Sequence, residues 1–180
     1  MNFSFDPFPV ISTERLVLRA LSLADSEALL QLRSDEQINR YLNRPPTTSI
    51  EDANGFIAKI AHVVQNRDGI YWVISLKNDP SLIGTICYWN FNPDKDSADI
   101  GYELMPKYQG QGLMTEALKA AINCGFDTMQ LKMIIAFTHP DNEASAKVLK
   151  RNGFVLDERY DFISEENAEG QAVYVLPHSN

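Results

Sequence analysis

The 180-residue sequence predicts a mixed α/β protein, with one mostly antiparallel sheet and helices on both of its faces. Three observations carry this. Between Ile70 and Met105, three strand-like runs follow one another through short polar turns, which makes consecutive antiparallel neighbours. From Gly110 onward, helix and strand patterns alternate, which calls for a crossover and a β-α-β-α-β order. The longest helical stretch also carries its apolar residues on one face, so it must lie on something.

The elements follow in order. "RLVLRAL" alternates enough for a first strand, and "ADSEALLQLR" reads as a helix with Asp25 in its first turn, where an acid complements the helix dipole. "DEQINRYL" is a second, short helix that Pro45 and Pro46 stop. In "TSIEDANGFIAKIAHVVQNRDG", Ser49 and Asp52 resemble a capping box with Asp in the acidic position. Ala53, Phe56, Ile57, Ile60 and Val64 recur at helical spacing, and Gly69 is the expected stop. The strands "IYWVISL", "LIGTICYWNF" and "ADIGYELM" come next, with turns at "KNDPS" and "NPDKD" and an end at Pro106. A helix is predicted over Thr115 to Met129, and "KMIIAFT" is a nearly continuous apolar strand suited to a sheet centre. "DNEASAKVLKRNGF" is a helix closed by Asn152 and Gly153. "FVLDERYDF" and "QAVYVL" end the chain as strands joined by "ISEENAEG". One domain over 10–177 is expected, with 1–9 and 178–180 as terminal extensions.

Composition narrows the function. The chain is 44% hydrophobic and 22% charged, an ordinary globular balance. Its net charge of −8 disfavours nucleic acid, which is bound through Lys and Arg, and it is compatible with a cationic substrate or a basic partner. There is no apolar run of ~18 residues and no secretory leader, and Cys87 and Cys124 make no disulfide framework. No Cys/His cluster has metal-ligand spacing, so no metal is expected. A cytoplasmic protein, neither membrane-bound nor nucleic-acid-binding, is the expectation.

In "MPKYQGQGLMTEALKAA", Gly110 and Gly112 stand at the mouth of a helix, where glycine costs stability relative to alanine. A glycine loop before a helix N-terminus makes an anion site, because the first helical N–H groups lack partners and the dipole adds positive charge. The same glycines would also suit a plain turn. The loop is neither a Walker loop, since no Gly-Lys-Ser/Thr follows, nor a dinucleotide fingerprint, since antiparallel strands precede it.

"YQGQGLMTEAL" resembles the acyl-CoA pyrophosphate loop of the GNAT acetyltransferases, Gln/Arg-x-x-Gly-x-Gly/Ala. Gln109 and Gly112 match, and Met114 departs from the usual Gly or Ala, which leaves less room at the loop's end. "TERLVLRAL" resembles the opening strand of the RimJ/RimL-like branch, "IGYELMPKYQGQGLMTEAL" its central motif, and "HPDNEASAKVLKRNGF" its second motif. These pieces run in family order from Thr13 to Leu176.

The resemblance implies a GNAT fold, with a splayed strand pair at an acetyl-CoA site, and transfer of an acetyl group from acetyl-CoA to an amine. It implies that Gln109, Gly110, Gln111, Gly112, Leu113, Met114 and Thr115 hold the pyrophosphate. The splay is expected at Glu103 to Met105 against "FTH", with Leu104 and Met105 beside the pantetheine arm and Pro106 ending the pairing. By family position, Asn142 meets the pantetheine chain and Ser145 lies near the CoA sulfur as the proton donor; the same residues read equally as an N-cap and a small helix residue. The amine must lose a proton to attack. Glu103, at the strand end, is the first candidate base, and Asp99, on the same strand face, is the second. Trp72, Trp89 and Tyr102 receive no role. His62 and His178 read as exposed and inert, and His139 as a weak candidate for the CoA cleft.

Direct attack in a ternary complex is expected, since neither cysteine lies in a recognised motif. The acceptor expected is a protein or peptide N-terminal amine, bound between the first two helices and the final hairpin, at "RSDEQINRYLNRPP" and "RYDFISEENAEG". A small cationic amine (polyamine, amino sugar or antibiotic) or a non-catalytic acetyl-CoA-binding role are the alternatives. Monomer and homodimer both stand open.

Overall fold

The computed structural model describes residues 5–158 and 170–178. The long run of strand-formers between Ile70 and Leu104 makes three adjacent antiparallel strands, β3 (Ile70–Leu76), β4 (Asp79–Asn92) and β5 (Ser97–Leu104). Ahead of them, β1 (Ile11–Ser12) and β2 (Leu16–Ala20) add a hairpin on the β3 side. Beyond β5 come β6 (Met133–Thr138), β7 (Val155–Leu156) and β8 (Ala172–Pro177), giving an eight-stranded sheet in the order β1-β2-β3-β4-β5-β6-β8-β7. Every pair is antiparallel except β5 with β6. A parallel pair needs a crossover, and here the crossover is the helix behind the glycine loop.

Side-chain alternation sends one set of strand residues to each face. On one face Leu16, Leu18, Trp72, Ile74, Ile86 and Tyr88 pack against α4 (Leu113–Asn123) and α5 (Glu143–Arg151). On the other, Val73, Leu82, Tyr71 and Cys87 lie under α1 (Ser26–Ser34) and α3 (Ile50–Asn66), with α2 (Glu36–Asn39) beside them. A fully buried Leu or Ile side chain contributes about 1.5–3 kcal/mol through area removed from water, so these two layers hold the sheet's strand register. The expected two-faced mixed sheet is what forms.

Several local expectations shift. The capping box forms: Asp52 N donates to Ser49 Oγ and Ser49 N to Asp52 Oδ2, each at 3.1 Å. The helix it starts ends before Gly69, with Arg67 taking the left-handed position at φ 65°. Asp25 stands ahead of α1 and is buried, closing a capping box with Ser22 and pairing with Arg19 Nη2 at 2.6 Å. The helix after the glycines begins at Leu113, two residues before Thr115, and its last turn, Cys124–Thr128, widens into a π segment. His178 is exposed, as expected, and its ring stacks on Phe126 with centroids 4.6 Å apart. Residues 159–169, part of the last expected strand pair and of the expected acceptor surface, lie outside the described residues.

Candidate active site

The glycine loop is shaped by backbone geometry. Gly110 and Gly112 have φ of 73° and 76°, the left-handed region that side chains disfavour. A Cβ on Gly110 would meet nothing within 4 Å, so the outer side of the loop is open. Gly112 is the N-cap of α4, and no side chain caps it. The first amide to bond back is that of Glu116, to Gly112 O at 3.1 Å, which leaves the Leu113, Met114 and Thr115 N–H groups as the helix's orphan donors. Leu113 and Met114 are buried in the core, so the methionine that departs from the family pattern turns inward and does not fill the loop mouth. Gln109 and Gln111 brace the loop from within: Gln109 Nε2 donates to Leu104 O at 2.9 Å and Gln111 Nε2 to Lys107 O at 3.0 Å.

The splay opens earlier than the sequence suggested. Parallel pairing runs only through Ser97–Met133, Ala98–Ile134 and Asp99–Ile135. From Ile100 to Leu104, β5 is paired on its β4 side only, while β6 continues to Thr138 beside β8. Pro106 therefore does not open the gap. The first turn of α5 occupies it: Tyr102 Oη lies 3.0 Å from Ser145 Oγ and donates to Ser145 O at 3.3 Å, so a side-chain contact stands where backbone pairing has stopped. Burial is the main cause that pushes the Tyr102 hydroxyl up to about 12, so it remains a proton donor at neutral pH. Asn142 caps α5, its Oδ1 accepting from Ser145 N at 3.1 Å, and among the described residues its Nδ2 has no partner. The sequence had no role for Tyr102. The signal was its alternation: Tyr102 faces away from Glu103, toward the helices that flank the loop.

Glu103 and Asp99 share the opposite face of β5. Glu103 is gripped at both oxygens by Arg44, Nη1 to Oε1 at 2.5 Å and Nη2 to Oε2 at 2.7 Å. Arg44 is itself fixed by Asn39 Oδ1, which accepts from Nε and Nη2, and Asn39 Nδ2 donates to Arg33 O at 2.7 Å. Arg33 lies over the Phe56 ring at 3.9 Å. Its pKa is lowered, first by burial and then by the Arg44 guanidinium, with Glu103 opposing. Among the described residues, Arg44 alone bonds the Glu103 carboxylate, while Arg33 Nε donates to Thr47 Oγ1 at 3.1 Å. The Tyr71 hydroxyl is buried beside them without a hydrogen-bond partner among the described residues, and burial drives its pKa well up. Asp99 is buried and accepts from Asn90 Nδ2 at 2.8 Å. Trp89 is 43% exposed, with its ring over Gly101 between the two acids. Across the gap, the Tyr41 and His139 rings stand 5.4 Å apart, so the stretch from Asn39 to Arg44 touches both diverging strands' ends.

No group of three or more His, Cys, Asp or Glu side chains able to hold a metal occurs among the described residues. No described helix is long and apolar enough to cross a membrane.

A glycine loop ahead of a helix N-terminus, beside a parallel strand pair that separates, is the arrangement that the resemblance to acetyl-CoA-binding transferases implies. The acetyltransferase (GNAT) domain family matches residues 15–155, and the chain belongs to that family. It is 34% identical over 147 residues to the uncharacterized N-acetyltransferase YoaA of Bacillus subtilis, covering 82% of this chain and 83% of that one. It is 28% identical to the ribosomal-protein-serine acetyltransferase of Escherichia coli, covering 81% and 82%. Among solved structures, RimL, a ribosomal-protein alpha-N-acetyltransferase crystallised with coenzyme A, superposes with a TM-score of 0.80 at 23% identity over 94% of this chain and 98% of that one. The protein is an acetyl-CoA-dependent N-acetyltransferase.

Proposed function

We propose that the acceptor is the α-amine of a protein or peptide N-terminus, and that one acetyltransferase unit over 10–177 acetylates it by direct attack in a ternary complex. The observation that carries the acceptor assignment is the pairing of Glu103 with Arg44 beside Arg33. A polyamine site needs several carboxylates free to meet several ammonium groups. Here the Glu103 carboxylate is already matched at both oxygens by the Arg44 guanidinium. An N-terminal amine has an ordinary pKa of about 7.7–8.0, against about 10.4 for a lysine-type amine, so at pH 7 its deprotonation costs several kcal/mol less. Such an acceptor asks least of a carboxylate held in an ion pair.

The roles follow from placement. The pyrophosphate lies on the outer side of Gln109 to Thr115, on the orphan amides of the first turn of α4, and Leu104 and Met105 border the pantetheine arm. Asn142 turns its Nδ2 to that arm while its Oδ1 caps α5. Glu103 takes the amine's proton, directly or through water: Arg44 occupies one site on each oxygen, and each oxygen keeps another lone pair. Ser145 donates toward the thiolate as it leaves, and Tyr102 supports that hydroxyl from behind.

The test follows thiol release from acetyl-CoA with N-terminal peptides and with spermidine. Peptides are expected to show the higher kcat/KM by at least ~10-fold. A higher kcat/KM for spermidine would overturn the acceptor assignment while leaving the enzyme class intact.

A further inference from the structure

Arg15 sits at the glycine loop, from the turn between β1 and β2 that the catalytic reading leaves unused. Its backbone N donates to Glu116 Oε1 at 2.8 Å, its Nε to Glu116 Oε2 at 2.7 Å, and its Nη1 to Gln111 O at 3.0 Å. Thr13 Oγ1 adds a 2.6 Å bond to Glu116 Oε1. Glu116 lies in the first turn of α4, where a carboxylate also suits the dipole. These contacts fix the guanidinium plane and commit two of its three nitrogens. Among the described residues the third, Nη2, has no acceptor, and it stands 3.6 Å from where a Cβ on Gly112 would be, next to the open position at Gly110. The Arg15 side chain is 45% exposed. An ordered guanidinium with one N–H edge turned toward a phosphate-binding loop is arranged to meet a phosphate oxygen, because Arg offers donors in a rigid fork.

We infer that Arg15 is a ligand of a phosphate group of coenzyme A, held in place by Glu116, Thr13 and the Gln111 carbonyl. This rests on the reading that the cosubstrate's phosphates lie at Gln109 to Thr115. A fold-only role for the cluster, tying the β1–β2 hairpin to α4, would use Nε, Nη1 and the backbone, and would leave Nη2 indifferent to the ligand. The two roles differ in one measurable respect. A phosphate ligand acts only on substrates that carry phosphate.

The test uses the full chain and its Arg15→Gln and Arg15→Lys variants, with melting temperature as a check of fold. Binding of coenzyme A and dephospho-coenzyme A is measured by calorimetry, and initial rates with acetyl-CoA and with S-acetylpantetheine, which has no phosphate. Arg15→Gln is expected to weaken coenzyme A binding and raise the KM for acetyl-CoA by ~10-fold or more, while the rate with S-acetylpantetheine moves less than ~2-fold. Arg15→Lys is expected to regain part of the loss, since the charge returns without the fork. A loss seen equally with dephospho-coenzyme A assigns the contact to the pyrophosphate; a loss confined to coenzyme A assigns it to the 3′-phosphate. An equal loss with S-acetylpantetheine would make Arg15 a structural residue, and unchanged coenzyme A affinity would remove it from the site. Gly112→Val separates this from the loop reading: if it too leaves affinity unchanged in a folded protein, the loop assignment fails. If it abolishes affinity while Arg15→Gln does not, only the Arg15 inference fails.

Discussion

The two ends of the splay are built in different ways. At the end proposed for the cosubstrate, the loop from Gln109 to Thr115 is shaped locally, by two left-handed glycines, the orphan amides of α4 and braces within five residues. At the end proposed for the acceptor, Glu103 is set by Arg44, 59 residues away in sequence, and through Asn39 by the carbonyl of Arg33. The cosubstrate is the same molecule for every acetyl-CoA enzyme, so a local backbone motif can serve it. On the proposed reading, the acceptor is met by side chains that several elements must bring together. Changes at the acceptor end should therefore act on the chemical step and on acceptor choice, and changes at the loop on cosubstrate affinity.

The largest expected effect lies at the acceptor end. Glu103→Gln keeps size and hydrogen bonding but cannot take a proton, and kcat/KM for a peptide amine should fall by ~100-fold with coenzyme A binding intact. An unaltered pH–rate profile would move the role to Asp99 or to ordered water.

Ser145 is the proposed donor to the leaving thiolate, and its loss should strike the chemical step. Ser145→Ala should lower kcat by ~10-fold or more with little change in the KM for acetyl-CoA, as for one hydrogen bond that matters most when charge develops on sulfur. If KM rises and kcat holds, the serine is a binding contact. Tyr102→Phe removes the hydroxyl behind it and should cost less, on the order of 1 kcal/mol in the barrier. A Tyr102→Phe loss equal to that of Ser145→Ala would make the tyrosine the direct donor.

The loop answers to shape. Gly112→Val puts a branched side chain at φ 76° and should raise the KM for acetyl-CoA by ~10-fold, equivalent to about 1.4 kcal/mol. Calorimetry on a variant shown to be folded decides whether affinity, and not stability alone, has changed.

The smallest effect concerns acid. Burial alone would raise the Glu116 carboxyl, but the Thr13 hydroxyl, the Arg15 amide and the Arg15 guanidinium outweigh it, and its pKa is lowered. A depressed carboxylate stabilises the fold above its unfolded value, about 4.3, and loses that contribution as pH falls through the folded value. The melting temperature should therefore drop below about pH 4.3, by roughly 2–4 °C for each kcal/mol lost. In Glu116→Gln this part of the pH dependence should flatten, and an unchanged acid profile in that variant would show that the cluster adds nothing to stability.

Much of the fold was legible because its signals are local. The strands from Ile70 to Leu104, the Ser49–Asp52 capping box and the helix ahead of Gly153 follow from alternation, capping chemistry and helical spacing, which neighbouring residues set by themselves. Where local signals misled, packing had intervened. Gly69 looked like the stop of α3, yet Arg67 takes the left-handed turn. Asp25 looked like simple dipole support, yet it is a buried partner of Arg19.

The sequence by itself determined the order of elements and the place of the glycine loop, because alternation and helical spacing are set by neighbouring residues, while the candidates Glu103, Asn142 and Ser145 followed from its resemblance to the family. Only the tertiary structure decided that β5 and β6 part after Asp99 and Ile135, that Arg44 grips Glu103, that Tyr102 meets Ser145, and that Arg15 reaches the loop from 96 residues before Gln111. These pairings join residues far apart in the chain. Their partners are chosen by how the helices pack across the sheet, which no local spacing encodes.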